Sequence, residues 1–189
     1  GQLVGGCGTI GVFSFYATKM ICAGEGGMVI SHNSKLLKFI RDRRDYDHKE
    51  DLHVRFNYKM TDLQAGLGIT QLKKIKAFIQ KRRQIAAFYN KHLNDLDVGL
   101  PKTRQGNEHI YFRYVIRLKK NCDRFLKNLQ QNGVDARRPV YKPIHMYFKN
   151  IYCPQTTELY QKSISIPIYP SLTQKQMHFI VKQLKKNLI

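Results

Sequence analysis

The feature that most limits the fold of this chain is a long run of helical periodicity near its middle. Thr61-Asp62-Leu63-Gln64 has the form of a capping box, in which the Thr hydroxyl and the Gln amide satisfy free backbone N–H groups reciprocally. Behind it, Leu63, Leu67, Leu72, Ile75, Ile79, Ile85, Phe88, Leu93 and Leu96 continue the helical pattern until Gly99 and Pro101 close it. A helix of that length looks like a link between two domains. The spacing predicts a linking helix over 61–100, an incomplete domain over 1–60 and a small α/β domain over 101–189.

The first segment is rich in glycine and β-formers. Ile10, Val12, Phe13 and Phe15 predict a short strand, and Gly27-Met28-Val29-Ile30 a second. Between them lies a polar, glycine-bearing turn with Thr18, Lys19 and Gly24-Glu25-Gly26-Gly27. Asn33 or Ser34 can cap a helix running to about Arg44, with Leu36, Leu37 and Ile40 on its inner side. Residues 45–58 are mixed in charge and without period, which predicts a loop.

In the last segment Ile110, Phe112, Tyr114, Ile116 and Leu118 alternate with Tyr111, Arg113, Val115 and Arg117, the period of a half-buried strand. Asn121 can cap a helix carrying Phe125, Leu126 and Leu129, and Gly133 stands where a helix end favours a left-handed residue. A Pro-punctuated loop is expected over 139–154, then a strand at Ile164, Ile166 and Ile168. A final helix starts at Thr173, with Gln176 three residues on. Strand, helix, strand and helix make a compact α/β unit.

Composition narrows the function classes. A formal net charge of +20 attracts polyanions, whether nucleic acid, anionic lipid or phosphorylated small molecules. The basic residues are spread along the chain, the pattern of a solvated surface more than of a dedicated nucleic-acid face. Aromatic and basic residues interleave around Tyr111–Arg117 and could stack bases, but Phe112 and Tyr114 fall on the apolar face of the strand, where packing accounts for them. Cys7, Cys22, Cys122 and Cys153 lie far apart, without the spacing of a metal site or a disulfide framework, and read as reduced cytoplasmic thiols. No apolar run approaches the roughly 20 residues that cross a bilayer. The chain begins with Gly1, so it is expected to start within a longer polypeptide.

Chemistry points first to Phe13-Ser14-Phe15-Tyr16-Ala17-Thr18-Lys19. A lysine in a turn between two apolar strands can be partly desolvated, which lowers its pKa and makes its amine a better nucleophile toward a carbonyl. A Schiff base with pyridoxal phosphate needs such an amine. It also needs phosphate donors, which Ser14, Thr18 and glycine N–H groups can supply.

That string, with MICA-GEGGMV after it, resembles the cofactor-lysine motif of the nucleotide-sugar aminotransferases, the DegT/StrS group of fold-type I pyridoxal-phosphate enzymes. Further matches fall in the same order. Arg55-Phe56-Asn57-Tyr58-Lys59-Met60-Thr61 is similar to the family's R-x-N-Y-R-M segment, and Leu63-Gln64-Ala65, Gly68, Gln71-Leu72 and Arg82-Arg83 run along its long helix. Tyr141, Pro143 and His145 resemble its Y-x-P-x-H stretch, and Pro167-Ile168-Tyr169-Pro170-Ser171-Leu172-Thr173 its closing P-x-Y-P-x-L-T run.

The resemblance implies an α/β chain: the C-terminal part of the large cofactor domain, a linking helix and a complete small domain. It implies transfer of an amino group, from a donor such as glutamate, to a nucleotide-linked keto sugar for surface polysaccharide or related products. Lys19 would bond the cofactor and shuttle the substrate proton. Ser14 would hold the cofactor phosphate, and Asn57 would reach the phosphate of the neighbouring subunit in a homodimer. His145, Tyr141, Arg137 and Lys59 would lie toward the substrate. No metal is implied.

Two departures stand out. Lys59 replaces the usual Arg, giving a point charge in place of a planar fork. Ala23 replaces the Thr of T-G-E-G-G. The family's Asp for the pyridine nitrogen lies upstream of the lysine, and residues 1–18 contain no Asp, Glu or His. The chain alone is therefore expected not to sustain normal transamination. The alternatives are a degenerate non-catalytic remnant or, less well supported, a basic nucleic-acid-binding protein.

Overall fold

The computed structural model describes residues 2–188. The chain divides into two compact units, one reaching to Lys76 and one beginning at Ala77. The expected long helix is present as α2, Asp62–Leu93, and the division falls inside it.

In the first unit β1 (Gly11–Ser14) and β2 (Gly27–Ile30) pair antiparallel, with Gly11 opposite Ile30 and Ser14 opposite Gly27. The hairpin closes where Phe15 N–H donates to the Gly26 carbonyl at 2.8 Å. Gly26 has φ +125°, open only to glycine at little cost. Asn33 caps α1 (Ser34–Arg43) by accepting from the Leu36 N–H at 3.0 Å. An extended strap then returns along α1, where the Phe56 and Tyr58 N–H groups donate to the Arg43 and Arg44 carbonyls. The capping box at the start of α2 forms as expected. Thr61 N–H donates to Gln64 Oε1 at 3.0 Å, and Gln64 N–H donates to the Thr61 hydroxyl at 3.3 Å.

The second unit holds the hydrophobic core. Ile85, Ala86, Tyr89 and Leu93 recur at helical spacing along one side of α2 and are buried there. They meet β3 (Tyr114–Arg117) and β4 (Ser163–Ile166), which pair antiparallel with Tyr114 opposite Ile166. Single bridges from Gly99 to Arg117 and from Arg137 to Ser165 extend this sheet on both edges. α3 (Asp123–Gln131) and α5 (Gln174–Leu188) pack together through Phe125, Leu129, Met177, Ile180, Val181 and Leu184. Gly133 takes φ +79° after α3, as its position predicts.

The strand expected over 110–118 is shorter, and the reason is local. Tyr111 has φ +48°, and its N–H donates to His109 Nδ1 at 2.8 Å. The carbonyls of Tyr111 and Phe112 accept from the buried Arg82 guanidinium, each at 3.1 Å. Those groups are thus withdrawn from any ladder. Ile110 is exposed, Phe112 is half-buried, and only Tyr114, Ile116 and Leu118 enter the core. Likewise β4 stops at Ile166, because the Ile168 carbonyl accepts from Arg82 at 2.8 Å and the Pro167 carbonyl from the Tyr89 hydroxyl at 2.8 Å.

The loop expected over 139–154 contains a 3-10 turn, Ile144–Tyr147, and at its end begins a helix that the periodicity did not predict, α4 (Pro154–Lys162). No residue of α4 is buried, so no apolar stripe marks it. Pro154 at its first position was the available signal.

Candidate active site

The first group of predicted residues lies around the β1–β2 hairpin. Ser14 ends β1, and its hydroxyl accepts from the Tyr16 N–H at 3.4 Å, leaving its proton to donate. The Lys19 N–H donates to the Tyr16 carbonyl at 2.9 Å, and the Ala23 N–H to the Phe15 carbonyl at 2.9 Å. These bonds fold residues 15–26 into a closed tip that carries Lys19, with Ser14 just before it. Lys19, Ser14 and Thr18 are exposed. The tip itself therefore does not remove the Lys19 amine from water.

Asn57 and Lys59 lie on the strap. No hydrogen bond engages the Asn57 side chain among the described residues, so its amide remains available to an oxygen ligand. Lys59 is engaged: its ammonium lies 3.0 Å from an Asp45 oxygen and 2.5 Å from an Asp47 oxygen. Hydrogen bonds to Asp47 and Asp45 raise its pKa. Arg55 anchors the same strap, with its guanidinium 3.0 Å from Asp42 and 2.7 Å from Asp51. Its hydrogen bonds hold both carboxyls below their ordinary range.

The second group belongs to the other unit. His145 sits in the 3-10 turn after the buried Pro143, with Nε2 at 2.9 Å from the Thr157 hydroxyl of α4. Tyr141 leaves its ring in solvent, while its carbonyl accepts from the Tyr160 hydroxyl at 2.9 Å. Arg137 pairs with Asp135 at 2.8 Å, and that bond raises its pKa. Ser14 and Lys19 thus share one turn of the first unit, and Tyr141 and His145 share one segment of the second that α4 fastens at both ends.

Sequence reasoning did not single out Thr157, Tyr160 or Arg138. Thr157 and Tyr160 stand three apart on one face of α4, and Arg138 donates to the Tyr160 carbonyl while its guanidinium lies 4.2 Å from that ring. Among the described residues no cluster of three or more His, Cys, Asp or Glu could hold a metal ion. No helix among them is long and apolar enough to cross a membrane.

The donor set fits one end of a phosphorylated aldehyde cofactor. Lys19 and Ser14 share the hairpin turn, and among the described residues no hydrogen bond engages the Thr18 or Asn57 side chain. GDP-perosamine synthase of Escherichia coli O157:H7 is 31% identical over 98% of this chain and 54% of its own length. A UDP-N-acetyl-3-dehydro-alpha-D-glucosamine 3-aminotransferase of Acidithiobacillus ferrooxidans is 28% identical over 100% of this chain and 53% of its own. The chain spans about half the length of the curated relatives it matches.

Among solved structures, the Helicobacter pylori aminotransferase PseC superposes with a TM-score of 0.86 at 26% identity, over 99% of this chain and 55% of that one. The aminotransferase TlmJ of Streptoalloteichus hindustanus shares the fold at a TM-score of 0.90, over 100% of this chain and 54% of that one, at 23% identity. The mixed α/β architecture is therefore that of about half of a sugar aminotransferase. The model of the DegT/DnrJ/EryC1/StrS aminotransferases matches residues 1–185, and the chain belongs to that family.

Proposed function

We propose that this chain carries the cofactor lysine and the small domain of a pyridoxal-phosphate-dependent aminotransferase. It moves an amino group, from a donor such as glutamate, to a nucleotide-linked keto sugar in the making of surface polysaccharide or related amino sugars. The observation that carries the reading is the closed tip after β1, which sets Lys19 and Ser14 on one short turn.

Bound there, the cofactor would supply an electron sink for the carbanion formed at the substrate carbon. The chain's own residues do the rest. Lys19 anchors the cofactor and carries the proton between substrate carbon and cofactor. Ser14, Thr18 and Asn57 donate to the phosphate, with Asn57 reaching that of the second subunit of a homodimer. His145, with Tyr141 and Arg137, faces the substrate, and Lys59 adds positive charge tempered by Asp45 and Asp47. In domain terms, residues 1–60 end the large cofactor domain, 61–100 link, and 101–189 form the small domain of a cytoplasmic enzyme.

The test is covalent trapping. The complete gene product is incubated with pyridoxal phosphate, reduced with borohydride and mapped by mass spectrometry. The phosphopyridoxyl group is expected on Lys19 and lost in Lys19→Ala. Label spread equally over surface lysines, unchanged in Lys19→Ala, overturns the reading.

A further inference from the structure

α4 has no buried residue, yet it holds both ends of the 141–145 segment. The Tyr160 hydroxyl donates to the Tyr141 carbonyl at 2.9 Å, and Thr157, three residues earlier, meets His145 Nε2 at 2.9 Å. Arg138 fastens the helix from the other side, donating to the Tyr160 carbonyl and pairing with Asp123. The turn bearing His145 is rigid in its own right: Met146 N–H donates to the Pro143 carbonyl at 3.0 Å, and Phe148 N–H to the His145 carbonyl at 3.2 Å. The imidazole thus has a fixed backbone beneath it and one hydroxyl against one ring nitrogen.

A neutral imidazole has one donor and one acceptor nitrogen, and its neighbour decides which is which. A Thr hydroxyl in a helix commonly gives its proton to the carbonyl four residues back. Here the Thr157 hydroxyl makes no such bond among the described residues. Its polar partner there is His145 Nε2, at 2.9 Å.

We propose that Thr157 is a positioning residue: its hydroxyl donates to His145 Nε2, fixes the Nδ1–H tautomer and leaves the ring offering an N–H donor to substrate. Such a group recognises an acceptor oxygen, whether carbonyl, hydroxyl or phosphate, and does not act as a base toward the substrate. The inference rests on the placement of His145 toward substrate under the proposed function, and it assigns the polarity of that contact.

The chain contains its own references. His92 Nδ1 lies 2.8 Å from the Phe88 carbonyl and His178 Nδ1 lies 2.9 Å from the Gln174 carbonyl, so both rings must carry the proton on Nδ1. His109 Nδ1 accepts from the Tyr111 N–H, so that ring must carry it on Nε2. A long-range 1H–15N spectrum of the imidazoles at pH 8, on this chain, is expected to group His145 with His92 and His178 and apart from His109. In Thr157→Val, His145 should move toward the Nε2–H pattern while the three references stay in place, and Thr157→Ser should restore it.

A wild-type His145 in the Nε2–H form, or a Thr157→Val spectrum identical to wild type, overturns the proposal. Kinetics of the complete enzyme separate it from the reading beneath it. Thr157→Val should raise KM for the sugar substrate about 5–10-fold with kcat within twofold, reversed by Thr157→Ser. If the tautomer shifts as stated but His145→Ala leaves both constants unchanged, the substrate role of His145 fails and the tautomer assignment stands.

Discussion

Replacing Arg82 with methionine probes the least expected feature of the core. The side chain is 9% exposed and meets no carboxylate among the described residues. One nitrogen, Nη1, supplies the carbonyls of Tyr111, Phe112 and Ile168, while Nε is buried and has no partner among the described residues. Two N–H protons therefore serve three acceptors. At about 1.5–3 kcal/mol for a hydrogen bond from a charged donor, two such bonds contribute about 3–6 kcal/mol. Opposing this is the cost of holding an unpaired guanidinium away from water, several kcal/mol for a dry ion, which burial registers by lowering the Arg82 pKa.

The residual exposure relieves part of that cost, which leaves a net loss of about 2 kcal/mol in Arg82→Met. For a unit of this size that corresponds to a fall in Tm of about 10 °C. Hydrogen exchange measured by mass spectrometry places the effect: amides of 110–114 and of 166, 168 and 169 should exchange about 30-fold faster, while α3 changes less. Arg82→Lys, which keeps the charge and three donors, should lose less than Arg82→Met. A methionine variant as stable as the parent would refute the argument, because the carbonyls would then have found water and the buried charge would have been a net cost.

The other expectations concern separate devices. Gly133→Ala should cost about 1–2 kcal/mol. The added Cβ would meet Phe179 at an ordinary 3.9 Å, so the penalty comes from φ +79° alone, and Gly133→Asn should cost less. Leu129→Ala, at a site with no exposure, should cost about 2–5 kcal/mol by thermal or denaturant unfolding. Asp42, Asp45 and Asp51 titrate below their ordinary range because of hydrogen bonds from Arg55, Lys59 and Arg55 respectively. Their stabilisation is present above about pH 4 and lost as pH falls through the depressed folded values. The Phe56 and Tyr58 amides should accordingly lose protection on acidification below about pH 4, after correction for intrinsic exchange rates.

The features legible in the chain are those that local signals dictate. The capping box at Thr61, the Asn33 cap, the left-handed Gly133 and the long α2 all arise from patterns a few residues wide. The edges of the sheet were not legible, because a distant side chain decides them. Arg82 is 29 residues from Tyr111 and 86 from Ile168, yet its donors end both strands by engaging their carbonyls. A period-2 run specifies which face side chains take, not where the backbone finds its partners. α4 escaped for the opposite reason: it is fastened by polar contacts at Thr157 and Tyr160, and hydrophobic periodicity has nothing to detect there.

The same division applies to charge. From composition every cation contributes equally to a field of +20, and the resemblance sets Lys59 and Arg137 toward the substrate. In the folded chain each already has a carboxylate at hydrogen-bonding distance, Asp47 and Asp45 for Lys59 and Asp135 for Arg137. An anionic ligand at either position must compete with that internal partner, so its gain is the difference between two pairings and not the full attraction of a bare cation. Among the described residues no carboxylate pairs with the Ser14, Thr18 or Asn57 side chain. Under the proposed function, Ser14 and Thr18 would meet a phosphate at the hairpin tip as neutral donors, with the basic surface acting mainly on the rate of approach. Neutralising Asp45 and Asp47 together should strengthen anion binding on the strap, and raising salt should weaken it there more than at Ser14.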